Sequence, residues 1–443
     1  MYEETEREAP AVEMRATARA IFQEALTECT IPRAFERHVS CRRGVLRIAE
    51  DLYNLESYKR TFVVSIGKAA HAMAEALFAE VGGLVEGIVV GTTAPASQVM
   101  GFRYFEGGHP LPNAESVRAA SAILRGLEAQ GLGSLVVYMI SGGGSAAVEK
   151  PIDDDISLED LVGTYRALVH CGAPIAEINA IRKHLSAVKG GRMARAAAAA
   201  QQVSVLVSDV PEGALDALAS GPTMPDSSTV EDCYRVAQQY SLVPELPLSV
   251  RYLFEKRALE ETPKAGDEAF RRARWWPILS SATSQEAASA SATRRGFVVD
   301  VDNRPDDWDY ARAADYLLGR LREMRQKAER VCLVSVGEVT VKVGPKSGTG
   351  GRNAQFALYC AEKIASQNIT VLSAGTDGID GNSPAAGALV DGTTLARARA
   401  RGLDIATALE DFDAHPLLES LGDVIVTGAT GTNVRDVRLM MAY

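Results

Sequence analysis

Residues 134–145 read SLVVYMISGGGS, in which six apolar or aromatic residues run without a polar break into a serine-flanked triple glycine. An unalternating apolar run of this length fits a strand buried on both faces, the condition of a parallel sheet covered by helices. The glycines permit unusual backbone angles and close approach, so successive N–H groups there can turn toward an anion. Outward from this stretch the same grammar recurs. TFVVSIG (61–67) runs into the helical KAAHAMAEALFAE, GIVVG (87–91) is followed after an irregular stretch by AESVRAASAILRGLEAQ, and VSVLVSD (203–209) meets VPEG. Short apolar runs ending in small or polar residues and alternating with helices predict an α/β fold with a mostly parallel sheet, and the carboxyl ends of its strands are where such sheets bind ligands.

Residues 1–60 are expected to form a helical appendage packing on the first domain, because IFQEAL (21–26) and VLRIAEDLYNL (45–55) space apolar residues three and four apart. The first α/β domain is placed at 61–240. Within it KHLSAVKGGRMARAAAAAQQ reads as helical, with Ala196 to Ala200 as a small-residue packing face. Residues 241–275, with Pro244, Pro247 and Pro263, read as a connecting region, and 276–443 as a second α/β domain in which WPILSSA and FVVDVD resume the rhythm. VCLVSVGEVTVKV (331–343) suggests two strand-like runs meeting at Gly337 and Glu338, as a hairpin or a bent strand.

A length of 443 residues, 47% apolar and 23% charged, excludes a small module or a disordered chain. Lys plus Arg total 47 against 57 Asp plus Glu, and the net charge of −10 opposes broad attraction to nucleic acid or an anionic membrane. Six cysteines scattered without a C-x-x-C pair argue for a reducing, cytoplasmic setting. The acidic MYEETEREAP start and the lack of any span of about 20 apolar residues predict a soluble, unprocessed chain.

Candidate chemistry lies at the strand ends. Ser141, Gly142, Gly143, Gly144 and Ser145 form one candidate phosphate cradle. Gly344 to Asn353 forms a second glycine-rich loop, in which Gly350 and Gly351 precede Arg352 at a predicted helix start; an arginine fork there suits carboxylate or phosphate. Lys68, just after VVSIG, can reach a transferring phosphoryl group or a substrate carboxylate. Asp209, Asp377 and Asp380 are strand-end carboxylates suited to Mg²⁺ or to removing a hydroxyl proton, with turn or helix capping as the plain reading of Asp380. His109 beside Pro110 reads either as a turn residue or as a substrate contact, and Asn179, Arg182 and Lys183 as a basic helix face or a substrate contact. No G-x-x-x-x-G-K-[ST], no strand followed by G-x-G-x-x-G, no clustered Cys/His and no G-x-S-x-G occurs, which disfavours P-loop, dinucleotide, zinc and α/β-hydrolase chemistry.

Together SIGKAAHAMA, GGHPLPNAES, SGGGSA, INAIRKHLSAVKGGRMA, SDVPEG, ASGPTMPD, GTGGRNAQFAL, SAGTDGIDG, AGALVDGTT and GDVIVTGATGTNV resemble the glycerate 2-kinase family, whose C-terminal part is called the MOFRL domain. The resemblance runs from about residue 15 to the end. It implies a Rossmann-like first domain, a smaller α/β MOFRL-type second domain and an active site in the cleft between them. It further implies transfer of the ATP γ-phosphoryl, with Mg²⁺, to the 2-hydroxyl of D-glycerate, the family's key lysine and arginine falling on Lys68 and Arg352. On this reading SGGGS holds nucleotide phosphates, and Asp209 helps hold the metal. Lys68 and Arg352 hold the substrate carboxylate and stabilise the phosphoryl group, and Asp377 or Asp209 takes the hydroxyl proton. His109, Asn179 and Arg182 join Lys68 and Arg352 as substrate contacts. The implied partners are a small hydroxy acid and ATP, with a homodimer as the assembly considered. A hydroxypyruvate or tartronate-semialdehyde reductase using NAD(P), and a non-catalytic relative, are the competing classes. Ser335 to Val339, Ser281 to Ser284, Asp380 to Gly387 and SDVPEG depart from the family pattern at strand ends, pointing to a related hydroxy acid or altered nucleotide contacts. Lys68, Arg182, Lys183, Lys189, Arg192, Lys342, Lys346 and Arg352 suggest a positive cleft hidden by the net charge.

Overall fold

A computed structural model describes residues 2–344 and 347–443. Lys346 therefore lies outside the described residues. The chain divides into two compact units, one formed by residues 34–278 and the other by 1–33 together with 279–443.

The middle unit holds two sheets. A three-stranded antiparallel sheet comprises β1 (Val39–Arg42), β2 (Val45–Ile48) and β3 (Asp51–Asn54). This corrects the helix expected over VLRIAEDLYNL. Arg43 and Gly44 both take left-handed φ (51° and 76°), which reverses the chain between β1 and β2 and lets Leu46 and Ile48 point inward at a period of two. The larger sheet has β4 (Arg60–Ile66), β5 (Glu86–Gly91), β6 (Phe102–Glu106), β7 (Ser134–Ser141), β8 (Gln201–Val207) and β9 (Ala273–Leu279) in the order β6-β5-β4-β7-β8-β9. The pairings β4–β5, β5–β6, β4–β7 and β7–β8 are parallel, as expected. Every residue of β7 is buried; Val136, Tyr138 and Ile140 pack with Phe62, Val64 and Ile66 of β4 against Ala119, Ile123 and Leu127 of the helix Ala114–Glu128. WPILSSA thus supplies the last strand of this sheet and does not open the second one.

The region 241–275 is more than a connector, because the helix Leu248–Glu255 joins the helices Leu158–His170, Ile175–His184 and Val230–Gln239 around Leu161, Ile181, Val236 and Leu253. Helix after Gly191 is short, Arg192–Ala196, and Ala197 to Ala200 turn back into the sheet, so the alanine run forms a turn that buries Ala197 and Ala200 and leaves Ala199 exposed, not a helix face.

The other unit is built on a mixed sheet, β10 (Val298–Val301), β11 (Val331–Val336), β12 (Ile369–Gly375), β13 (Gly387–Asp391), β14 (Val424–Ile425) and β15 (Asp436–Ala442), ordered β10-β11-β15-β12-β13-β14. Only β10–β11 is parallel among its five pairings. Met440 and Ala442 face the helices Tyr310–Arg325 and Arg352–Lys363, while Val437, Leu439 and Met441 face the helix Ser281–Arg294 and the chain's first helix, Tyr2–Glu28. That first helix inserts Met14, Ile21 and Phe22 into this second core. Arg15 donates to Asp391 (2.9 Å) and pairs with Asp423, and Glu24 accepts from Arg294 (2.7 Å), Arg295 and Ser291 (2.8 Å). Residues 1–33 thus belong with the C-terminal part of the chain and not with the first α/β domain, and the expected boundary at 60/61 is replaced by one at 33/34. Residues 337–343 form no second strand after β11; Gly337 turns at φ 114°, and Glu338 N donates to Asp306 (2.9 Å), which leads the chain away as a loop.

Candidate active site

In the larger sheet of the middle unit the chain order runs outward in opposite directions from β4 and β7, so the topological switch point lies between them, where open α/β sheets form a ligand crevice beyond the carboxyl ends. β4 ends at the turn carrying Lys68, and β7 ends in the triple-glycine turn. The two turns are tied together: Lys68 N donates to Gly142 O (2.9 Å), Ala69 N to Ser141 Oγ (3.0 Å), and Ser141 Oγ to Ile66 O (3.2 Å). From the neighbouring β8, the Asp209 carboxylate lies against Gly142, its Oδ2 1.9 Å from where a Cβ would stand, so a side chain there would displace that carboxylate. Gly143, at φ 81°, caps the short helix Gly144–Ala147, and the Lys68 stem lies over it. Loss of hydration, with the Lys68 charge as the smaller cause, pushes the His109 imidazole below its usual range. The contacts join Lys68, Ser141 to Ser145 and Asp209 into one group.

Sequence reading missed Ser220. Its hydroxyl is 2.8 Å from Ser145 Oγ, and it lies in a run of three left-handed residues, Ala219, Ser220 and Gly221 (φ 49°, 61° and 60°). Strained backbone of this kind persists where surrounding structure enforces it and is frequent at functional sites. The only sequence signal is the Gly-Pro ending of ASGP.

The basic residues of INAIRKHLSAVKGGR do not form a positive cleft. Lys183 donates to Asp216 and Asp226 (both 3.0 Å); Lys189, 1% exposed, pairs with the fully buried Glu149; Arg192 is buried. Burial pushes the Lys189 ammonium down. Arg182 lies 4.9 Å over the Tyr165 ring, and burial lowers its pKa. Asn179 is half-buried on the same helix, and neither it nor Arg182 bonds to the Lys68 group.

The C-terminal unit gathers a second group around Arg352, the first residue of its helix. Arg352 Nε donates to Asp436 Oδ2 (2.6 Å) and Nη2 to Asp436 Oδ1 (3.1 Å), while Nη2 lies 2.9 Å from Glu338 Oε1. These carboxylates outweigh desolvation and hold the guanidinium above its ordinary pKa. Arg435 forks onto Asp306 (2.6 Å twice), and Asp306 in turn fixes the Glu338 backbone. Asp377 is half-buried and accepts from Ile379 N (3.1 Å); its carboxylate and that of Asp436 both approach Gly375, 3.0 and 3.4 Å from where a Cβ would stand. Asp436, Asp306 and Arg435 lie in no motif and were not legible in the sequence; Glu338 was noticed as a turn position and as part of an altered block, not as a site residue. Gly350 and Gly351 shape the loop, with Gly351 so close to Asp380 that a Cβ would sit 2.3 Å from Oδ1. Ser281 to Ser284 begin a helix under a Ser280–Thr283 capping box.

Asp380 takes the plain role foreseen for it, capping the helix by accepting from Asn353 N (3.0 Å) and Ala354 N (2.8 Å). Burial outweighs these bonds and pushes its carboxyl up to about 6. Between its ordinary value of 3.8 and about 6 the folded chain binds more protons here than the unfolded one, so this group's contribution to stability falls as pH rises through that window. Asp380→Asn loses one acceptor at every pH but cannot titrate. Its Tm minus that of the wild type should therefore climb from pH 4 to pH 6 and then level off; a flat difference would refute the assignment.

Two family models match the chain, one described as a domain of unknown function (DUF4147) over residues 17–255 and one as the MOFRL family over 331–436. Glycerate 2-kinase from Pyrococcus horikoshii is 34% identical over 382 residues, covering 85% of this chain and 86% of its own. A chain from Agrobacterium vitis with the provisional name of hydroxypyruvate reductase is 36% identical over 392 residues, covering 86% and 87%. The crystal structure of glycerate kinase from Thermotoga maritima superposes with a TM-score of 0.85 at 30% identity, covering 97% of this chain and all of that one. With lysine and arginine each set among the groups just described, and with both family models in register, the chain belongs to the glycerate 2-kinase family, built of a DUF4147 region and a MOFRL domain.

Proposed function

We propose that this chain is an ATP-dependent kinase that phosphorylates D-glycerate on its 2-hydroxyl. The observation that carries the reading is the joining of the Lys68 turn to the SGGGS turn at the switch point of a parallel sheet, in a chain of this family. Phosphoryl transfer requires mainly positioning and neutralisation of charge on the moving group. A glycine turn with an adjacent exposed ammonium supplies both. The 2-hydroxyl oxygen forms the new bond to the γ-phosphorus as the bond to the β,γ-bridging oxygen breaks, and ADP leaves.

The residues fit a metal carried chiefly by the nucleotide. Among the described residues no three His, Cys, Asp or Glu side chains gather to hold an ion, whereas Mg²⁺ accepts one or two carboxylates and completes its shell with phosphate oxygens and water. Asp209, against Gly142, is the carboxylate placed to do so. Bound there, the ion would neutralise charge on the phosphates. Lys68 holds the transferring group, His109 contacts the substrate, and Asp377 or Asp209 receives the hydroxyl proton. Arg352 presents a guanidinium fixed by Asp436 to the substrate carboxylate.

The test is ADP release from ATP, Mg²⁺ and D-glycerate, with the product identified by phosphorus NMR. The reading expects 2-phosphoglycerate and no oxidation of NADH or NADPH by hydroxypyruvate. Formation of 3-phosphoglycerate, or nicotinamide turnover without ADP, overturns it.

A further inference from the structure

The C-terminal unit carries a cavity of about 500 Å³ at the end of its sheet remote from Arg352 and Asp377. Ile369 opens β12 at the cavity, whereas Asp377 lies two residues beyond its other end; antiparallel to it, β15 runs from Asp436 to Ala442, which again borders the cavity. At about 3.3 Å per residue the two places are roughly 25 Å apart. The cavity lies within the 300–1,000 Å³ range typical of small-molecule sites.

Its lining contains Arg322 and Arg325 and no Asp or Glu, in a chain of net charge −10. The two arginines are three apart on the helix Tyr310–Arg325 and so share one face. Arg322 Nη2 is met only by neutral acceptors, Lys363 O (3.0 Å) and Gln367 Oε1 (3.4 Å). Arg325 makes no hydrogen bond or ion pair among the described residues. Gln326, Ser366, Gln367, Asn368 and Tyr443 complete the accessible lining, with Leu321, Ile369 and Ala442 buried behind it. An adjoining depression of about 220 Å³ shares Arg325 and Tyr443 and is bordered by Glu13, Glu329 and Arg330.

We infer that this cavity binds a small organic phosphate, its dianion between the Arg322 and Arg325 forks and its organic body along the arginine stems and the turn at 366–368. Two guanidinium forks suit a dianion of this geometry better than a single carboxylate. Nothing in the reasoning depends on which phosphoryl acceptor the enzyme uses.

Phenyl phosphate is the probe, titrated calorimetrically into the full chain without nucleotide. One saturable event is expected in the wild type and in Lys68→Ala, weakened at least about ten-fold in Arg322→Gln/Arg325→Gln, which keeps both side-chain stems and is expected to retain kinase activity within about two-fold. Phenol at equal concentration should not displace the probe. The inference is overturned if the wild type shows no saturable binding up to about 10 mM, if the double variant binds as well as the wild type, if phenol displaces the probe, or if Lys68→Ala abolishes binding, which would place the probe at the glycine turn. Loss of kinase activity bears on the proposed function alone, and the titration on this cavity alone.

Discussion

Lys68→Ala is expected to reduce kcat/KM for D-glycerate about a thousand-fold while leaving Tm within about 1 °C. The ammonium is exposed, and the turn's place in the fold is held by its backbone bond to Gly142 O and by Ser141 Oγ, neither of which needs the side chain. Loss of one well-placed stabilising group in a phosphoryl or acyl transfer site lowers rate about 10²–10³-fold, and a thousand-fold is about 4 kcal/mol of barrier. Exposed substitutions of this kind change stability by about 0.5 kcal/mol or less. Steady-state kinetics and thermal unfolding on the same preparation decide the matter. A folded variant retaining more than about a tenth of the wild-type kcat/KM would remove Lys68 from the reaction.

Arg352→Ala is expected to lose activity to a similar degree, and stability with it. Asp436 is 1% exposed, and the Arg352 fork supplies both charge and two hydrogen bonds to it. Removing one partner of a buried pair strands the other charge, at about 3–5 kcal/mol when both are buried. Arg352 is about one-third exposed, so roughly 2–3 kcal/mol is the expected cost, or about 5–10 °C in Tm for a unit of this size. The double variant Arg352→Ala/Asp436→Ala should regain much of the lost Tm but none of the activity. If instead activity returns with stability, Arg352 acts only by holding the fold; if Tm does not fall in the single variant, the Asp436 pair is not the structural tie described.

This difference between two residues of one motif set was hidden in the sequence. Lys68 stood out at a strand end and Arg352 at a predicted helix start in a glycine-rich loop, and the logic that found them rests on short-range facts: apolar runs, glycines and helix starts. What holds Arg352 comes from Asp436, 84 residues later, and from Glu338, read as the meeting point of two strand-like runs. Likewise Lys183 reads as part of a basic helix face, and Lys189 and Arg192 as part of a positive cleft, until the fold delivers Asp216 and Asp226 to Lys183 and Glu149 to Lys189 and buries Arg192. Residues 45–55 misled for another reason. Their apolar spacing satisfies a helical period, and the reversals that make them strands occur at Arg43-Gly44 and at Ala49, φ 50°, where no Asn-Gly or Asp-Gly signal marks a hairpin.

The first helix has a consequence for how the protein is made. Met14, Ile21 and Phe22 find their core partners only in segments beyond residue 279, while the unit of residues 34–278 contains its own sheet partners throughout. A ribosome adding about 5–20 residues per second needs roughly 10–50 s to reach that point, and roughly 8–30 s more to complete β15. During that interval the Met14, Ile21 and Phe22 face stays uncovered while the unit of residues 34–278 can already close. This helix is thus made before the interior unit and buried after it.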